Sequence, residues 1–209
     1  MVYARKITRD EVHDVQQPKL SPSQHISPIQ LVTETGQAVQ MSVHQPSLFI
    51  AQNLERVFPD WVLPVTTCRV VVVLQQSRYP LAGTAPHIER EKDRLREKFI
   101  GFGSDIVRHL RDRGFLTDLI DPRTGYPQLS RPGEIPHDDT VVVKALLGFP
   151  VIHNSCAVIE HPTRWGSAVY PGILVSSASP RAIKSVLKRV AAQHGWKEPK
   201  TDLQLFVGV

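Results

Sequence analysis

Cysteine is scarce in this chain: 209 residues hold two, Cys68 and Cys156. One pair cannot build a disulfide framework, and such low usage suits a reducing compartment. Long apolar runs are missing too, none approaching the ~20 residues that span a bilayer. The opening residues, Met1-Val2-Tyr3-Ala4-Arg5-Lys6, have no apolar core like that of a signal peptide. Asp10, Glu11 and Asp14 interrupt the basic residues that a transit peptide would carry. These gaps lead us to expect a cytoplasmic protein with no membrane partner, mitochondria remaining open. Aromatics make up only 7% and form no stripe among the basic residues, so the net charge of +5 does not indicate a nucleic-acid partner. No glycine-rich phosphate loop is present. Gly101-Phe102-Gly103 has no third glycine and falls inside a helical pattern.

What is present is an ordinary globular composition, 41% apolar and 22% charged, enough to bury a core without staples. Residues 1–31 are polar and proline-studded, and are expected to form a disordered or loosely docked arm. A domain is expected over 32–196, followed by a tail over 197–209. Within the domain, Ala38 to Val43 alternates weakly as a strand, and Ser47 is placed to cap a helix ending at Phe58-Pro59. Cys68 to Gln76 contains four consecutive valines, stiff at χ1 and apolar on both sides, which reads as a central strand. Ile88 to Arg113 is the clearest helix, with Leu95, Phe99, Phe102, Ile106 and Leu110 as its apolar stripe. Its charged residues, Glu89 to Lys98, read as a solvated face. A strand over Phe115–Ile120 enters the turn Asp121-Pro122-Arg123-Thr124-Gly125. Val141–Leu147 fits strand or helix. Two further strands follow, Ala157–Glu160 and Ser167–Ser176, the second with Pro171-Gly172 as a bulge or edge break. Ser179-Pro180 starts a last helix that runs to about Gln193. The order implies an α+β layered domain with helices packed on a mainly antiparallel sheet.

Chemistry concentrates between Val151 and Gly166. His153, Cys156 and His161 are three potential zinc ligands, but a closed site needs four, and no further pair is nearby. Cys156 with His153 or His161 as base would be a thiol nucleophile, yet no orienting or oxyanion group can be named. His137-Asp138-Asp139 reads as a loop or helix cap. Cys68 reads as a small buried hydrophobe. From the residues alone no enzyme mechanism stands out.

Several segments also carry a resemblance in fixed order: Asn53 to Pro59; Ile88-Glu89-Arg90-Glu91 with Leu95 to Ile100; Asp118 to Pro122 with Gly125; Leu147-Gly148-Phe149; Cys156 to Ile159 with His161; and Trp165-Gly166. Over roughly two thirds of its length the chain resembles the methylmalonic aciduria and homocystinuria type D family of cobalamin-trafficking proteins. The resemblance implies a nitroreductase-like fold without bound flavin, and an adaptor rather than an enzyme. It implies a type C-like cobalamin-processing partner, with delivery to methionine synthase and methylmalonyl-CoA mutase. Cobalamin would be held only together with that partner, by a cysteine thiolate on cobalt. Asp121, Pro122, Gly125, His161, Trp165 and Gly166 are then family-like structural positions, and Cys156 is the candidate cobalt ligand, with no other metal site. The chain departs from the pattern at Ser155, where animal members carry the first of two adjacent cysteines. Because neighbours in a strand face opposite ways, either the local register lets Cys156 reach cobalt or thiolate ligation is lost. The alternative on the same fold is a flavin-dependent reductase.

Overall fold

The computed structural model describes residues 28–153, 156–163 and 165–199. The proposed tail beyond 199 and most of the proposed arm therefore lie outside the described residues. A five-stranded sheet, ordered β1-β2-β3-β7-β4, forms the centre. Its members are β1 (Ile29–Val32), β2 (Ala38–His44), β3 (Arg69–Gln76), β4 (Thr117–Ile120) and β7 (Val169–Ser176), and every neighbouring pair is antiparallel. A separate hairpin pairs β5 (Val151–His153) with β6 (Ala157–Ile159). The helices are α1 (Leu48–Val57), α2 (Pro86–Arg111), α3 (Asp139–Leu147) and α4 (Pro180–Gln193). The mixed α+β architecture with a mainly antiparallel sheet is the one expected.

The valine run becomes β3, in the middle of the sheet, where an apolar strand can bury both faces. Val71 and Val73 pack under α2 and α4 with Phe99, Phe102, Ile106, Ile183, Val186 and Leu187. Val70, Val72 and Leu74 face α1 and α3 with Ile50, Leu54, Val57, Val142 and Val143. Cys68 joins that second core, fully buried. Ser47 and Ser179 cap α1 and α4 by accepting from Ile50 N and Ala182 N. The Val141–Leu147 ambiguity resolves as helix because Asp138 caps it, accepting from Thr140 N and Val141 N.

Three expectations need correction. The sheet begins inside the stretch assigned to the arm, because Ile29 and Leu31 are buried against β2, and it closes on Lys197, which pairs with Val32. β7 has no bulge, since its register with β3 runs unbroken from Arg69↔Ser176 to Gln76↔Val169, and of the two readings of Pro171-Gly172 the edge break is the one found. Pro171 is tolerated because β4 pairs only with Ile173 to Ser176 and leaves that half of β7 with one neighbour. Gly172 serves α2 instead, since a Cβ there would lie 2.5 Å from the Phe99 ring. Gly103 likewise faces Leu119 closely, whereas a Cβ on Gly101 would meet nothing within 4 Å.

Candidate functional site

A cleft of about 500 Å³ opens where the N-terminal part of α2, the Asp121–Gly125 turn, the loop entering α3, the start of β6 and the start of β7 meet. The turn is rigid for readable reasons. Asp121 is buried, and the Arg96 guanidinium clamps both its oxygens, which holds its carboxyl below the usual carboxylate range against the opposing effect of burial. Gly125 takes a left-handed φ of 73° and accepts from His137 N at 2.7 Å. A Cβ there would strike the His137 carbonyl, so the glycine is what lets the turn support the α3 entry. Asp121 and Gly125 thus hold the turn, and Pro122 between them lines the cleft.

Cys156 lines this cleft, half-buried. Its sulfur receives a hydrogen bond from Lys92 Nζ at 3.6 Å and lies 3.8 Å from the Leu81 carbonyl. Lys92 is itself held by Glu89 at 2.8 Å and the Gly83 carbonyl at 3.0 Å. The cysteine stands in the hairpin loop before β6, not within a strand, so strand alternation does not fix its direction. Ser155, on which the departure from the pattern turns, lies outside the described residues.

The two histidines separate from the thiol. His153 ends β5 and is exposed. His161 is buried, with Nδ1 bonded to Thr163 Oγ1 at 2.9 Å and Nε2 to Gln40 Oε1 at 3.1 Å. Trp165 stacks on its ring at 4.5 Å and Phe149 meets it edge-on. Burial pushes its pKa down to about 4, so it is neutral, with both nitrogens engaged. His161 N donates to the Gly166 carbonyl and completes this packed unit. Neither of these two histidines lines the cleft, so neither stands as a base beside Cys156. Among the described residues no group of three His, Cys, Asp or Glu side chains is placed to hold a metal.

The structure gives the site residues that the sequence placed in a loop or helix cap or on a solvated helix face. His137 and Asp139 line the cleft and are almost wholly buried. Their closest atoms, Nδ1 and Oδ1, are 3.7 Å apart, too far for a hydrogen bond. Neither imidazole nitrogen and neither carboxylate oxygen has a hydrogen-bond partner among the described residues. Each such group costs ~1–3 kcal/mol in desolvation. Asp118, equally buried, shows the usual solution: it accepts from the backbone N–H groups of Leu119, Gln128 and Leu129. Burial raises the Asp139 pKa to about 6 despite His137. Burial, then the Asp139 charge, also raises that of Tyr170 on the same cleft. Lys92 was hidden in the charged face of α2. The available clue was Glu91, a charge in phase with the buried stripe, which the Arg94 guanidinium pairs and to which Arg78 N donates.

Comparison with known proteins agrees with the ordered segments. Residues 6–189 match the family model described as methylmalonic aciduria and homocystinuria type D protein. Proteins named cobalamin trafficking protein CblD are similar to this chain. The Rattus norvegicus protein is 23% identical over 173 residues, covering 80% of this chain and 56% of that protein. The Homo sapiens protein is 23% identical over 147 residues, covering 68% and 47%. The Mus musculus protein is 22% identical over 185 residues, covering 86% and 59%. The chain spans about half the length of the curated relatives it matches. It belongs to the methylmalonic aciduria and homocystinuria type D protein family.

Proposed function

We propose that this chain handles cobalamin as cargo, acting as a trafficking adaptor that offers Cys156 to the cobalt ion and performs no catalysis of its own. The observation that carries the reading is the placement of Cys156: a sulfur half-exposed on a cleft, with the Lys92 ammonium 3.6 Å away. Sulfur is a soft donor that suits a metal ion, and partial exposure on the cleft leaves this one reachable. Cys68 offers the opposite setting, since burial raises its pKa to about 11. The relatives' name, cobalamin trafficking protein, supports the choice of cargo.

Size constrains how cobalamin is held. Clefts that enclose drug-sized ligands measure ~300–1,000 Å³, and a corrinoid is larger than such ligands. A cleft of about 500 Å³ therefore takes one face or edge, and the remainder falls to a partner. On this reading the partner is a type C-like cobalamin-processing protein, and the cargo passes on to methionine synthase or methylmalonyl-CoA mutase in cytoplasm or mitochondria. The layered sheet is then a nitroreductase-like scaffold that presents a sulfur donor without flavin.

Gel filtration with a cobalamin-loaded type C-like partner tests the adaptor role, with co-elution as the expected result. Its absence with both oxidised and reduced cobalamin overturns the proposal. For the ligand role, Cys156→Ser abolishes the thiolate-dependent change in the cobalamin visible spectrum, and Cys68→Ser retains it. A spectrum that survives Cys156→Ser removes the thiol from the mechanism.

A further inference from the structure

We propose that Asp139, His137 and Tyr170 form a subsite of the Cys156 cleft that recognises a neutral carboxamide on the cargo. The inference rests on the corrinoid reading above and adds to it a second point of recognition, made by residues on α3, the loop before it, and β7.

The starting observation is the orphaned pair. Asp139 keeps 6% of its side chain at the surface, both its carboxylate oxygens are covered, and the fully covered His137 ring lies 3.7 Å from it, so a ligand engages the carboxylate when the cleft wall opens. The two side chains have four polar atoms without a hydrogen-bond partner among the described residues. Elsewhere in the same chain, buried carboxylates such as Asp118 and Asp121 are fully engaged, so incomplete pairing is not a general feature of this fold. Tyr170 supplies a hydroxyl kept protonated by burial and by the Asp139 charge. Gly125 holds the backbone of His137 in place, so the pair is pre-positioned even though unpaired.

The chemistry selects among ligand groups. A carboxylate or phosphate would meet the Asp139 charge. The cations on the lining, Lys92 and Arg123, are engaged by Glu89 and Asp93 and offset little of that repulsion. An ammonium would satisfy Asp139 but offers no lone pair to the Tyr170 hydroxyl. A primary carboxamide does both, donating N–H to Asp139 and accepting at its carbonyl from Tyr170. His137 then acts as a positioning residue, donating to the carboxylate as it turns toward the ligand. The periphery of a corrin ring is rich in such amides, and they surround the metal that Cys156 would bind.

The test compares two corrinoids that differ only in these groups: cobinamide, which has amide side chains, and a corrinoid with those side chains as methyl esters. Each is titrated into the chain with its type C-like partner, reading the Cys156-dependent spectral change. Any preference belonging to the partner cancels when variants are compared with the unsubstituted chain. The amide-over-ester preference is expected to fall about tenfold in Asp139→Ala. Tyr170→Phe, an apolar change at a half-buried site, removes a donor that either carbonyl accepts from and should weaken the response to both corrinoids about tenfold; where Asp139→Ala fails to fold, this loss carries the test. An undiminished preference in folded Asp139→Ala, or an undiminished response in Tyr170→Phe, overturns the subsite. A spectrum that responds to neither corrinoid in the unsubstituted chain overturns the cobalamin reading itself.

Discussion

The two sides of the sheet solve the same burial problem to different degrees. Under α2 and α4, the partnerless buried atoms among the described residues are on side chains bonded through another atom. Gln75 Oε1 is unpaired while Gln75 Nε2 donates to Leu95, and Arg69 Nε is unpaired while Nη1 serves two carbonyls. Phe102 stacks on Trp196 at 4.3 Å, and Phe99 lies against Gly172. On the other side, at the cleft, His137 and Asp139 have no hydrogen bond through any side-chain polar atom among the described residues. One face is packed for stability; the other keeps a deficit that stability alone does not explain. Such deficits gather where a protein binds or reacts.

The largest test of that contrast is a pair of substitutions. Phe102→Ala removes a fully buried ring from the α2/α4 core and should cost ~3–5 kcal/mol, measured by denaturant unfolding. His137→Leu removes an imidazole that makes no hydrogen bond and only partly offsets the burial of Asp139, and should cost no more than ~1 kcal/mol. A loss at His137 comparable with that at Phe102 would mean that the cleft side is as optimised as the other, and the contrast would fail.

A somewhat smaller effect comes from pH. His161 has its pKa lowered from 6.5 to about 4 by burial, so the unfolded chain binds its proton first. Its contribution is intact above pH 6.5 and is lost as pH falls to about 4, on the order of 3 kcal/mol. Asp139 runs the other way. Its pKa rises from 3.8 to about 6, so the native state holds that proton more tightly. Its contribution is present below about pH 4 and is lost as pH rises through 6. The two windows overlap and nearly cancel. Asp121 and Glu91, held low by arginine partners, matter only below about pH 4. Asp139→Asn should therefore turn a nearly flat stability profile between pH 4 and 6 into one that falls with acid. Chemical denaturation at several pH values reads this directly, and a variant profile as flat as the parent's would show that Asp139 is not strained in the native state.

The sequence made the α2/α4 side legible and much of the cleft illegible. The stripe from Leu95 to Leu110, the valine run and the Ser179-Pro180 start are local patterns, and each became the element expected. β1 was missed because four residues next to a proline-rich segment carry little periodicity; Ile29 and Leu31 are buried only because β2 is there to cover them. Cys156 was found by its rarity, and its neighbour Lys92 was not, since they are 64 residues apart and meet only through the fold. His137 and Asp139 were visible as residues, but their burial depends on Gly125 and the α3 entry. A helix cap and a buried carboxylate look alike in sequence, and here they are adjacent: Asp138 is the cap and Asp139 the buried group.

The smallest effect concerns the helix starts on the two sides. Asp138→Ala at α3 and Ser179→Ala at α4 each remove a cap that accepts from the first turn, and each should cost ~1 kcal/mol in global unfolding. Their local consequences should differ. α4 is anchored by Ile183, Val186, Leu187, Val190 and Ala191, so losing its cap frays one turn at most. α3 is anchored by Val142 and Val143, with the unpartnered Asp139 as its third buried residue. Without its cap, the α3 entry has little to keep it closed, and opening there exposes the carboxylate to solvent that relieves its desolvation. Native-state amide exchange should then accelerate across α3 in Asp138→Ala and only at the first turn of α4 in Ser179→Ala. Equal local protection in both variants would show that the cleft wall is held as firmly as the packed face, and would leave the unpaired side chains without the local give that lets a ligand reach them.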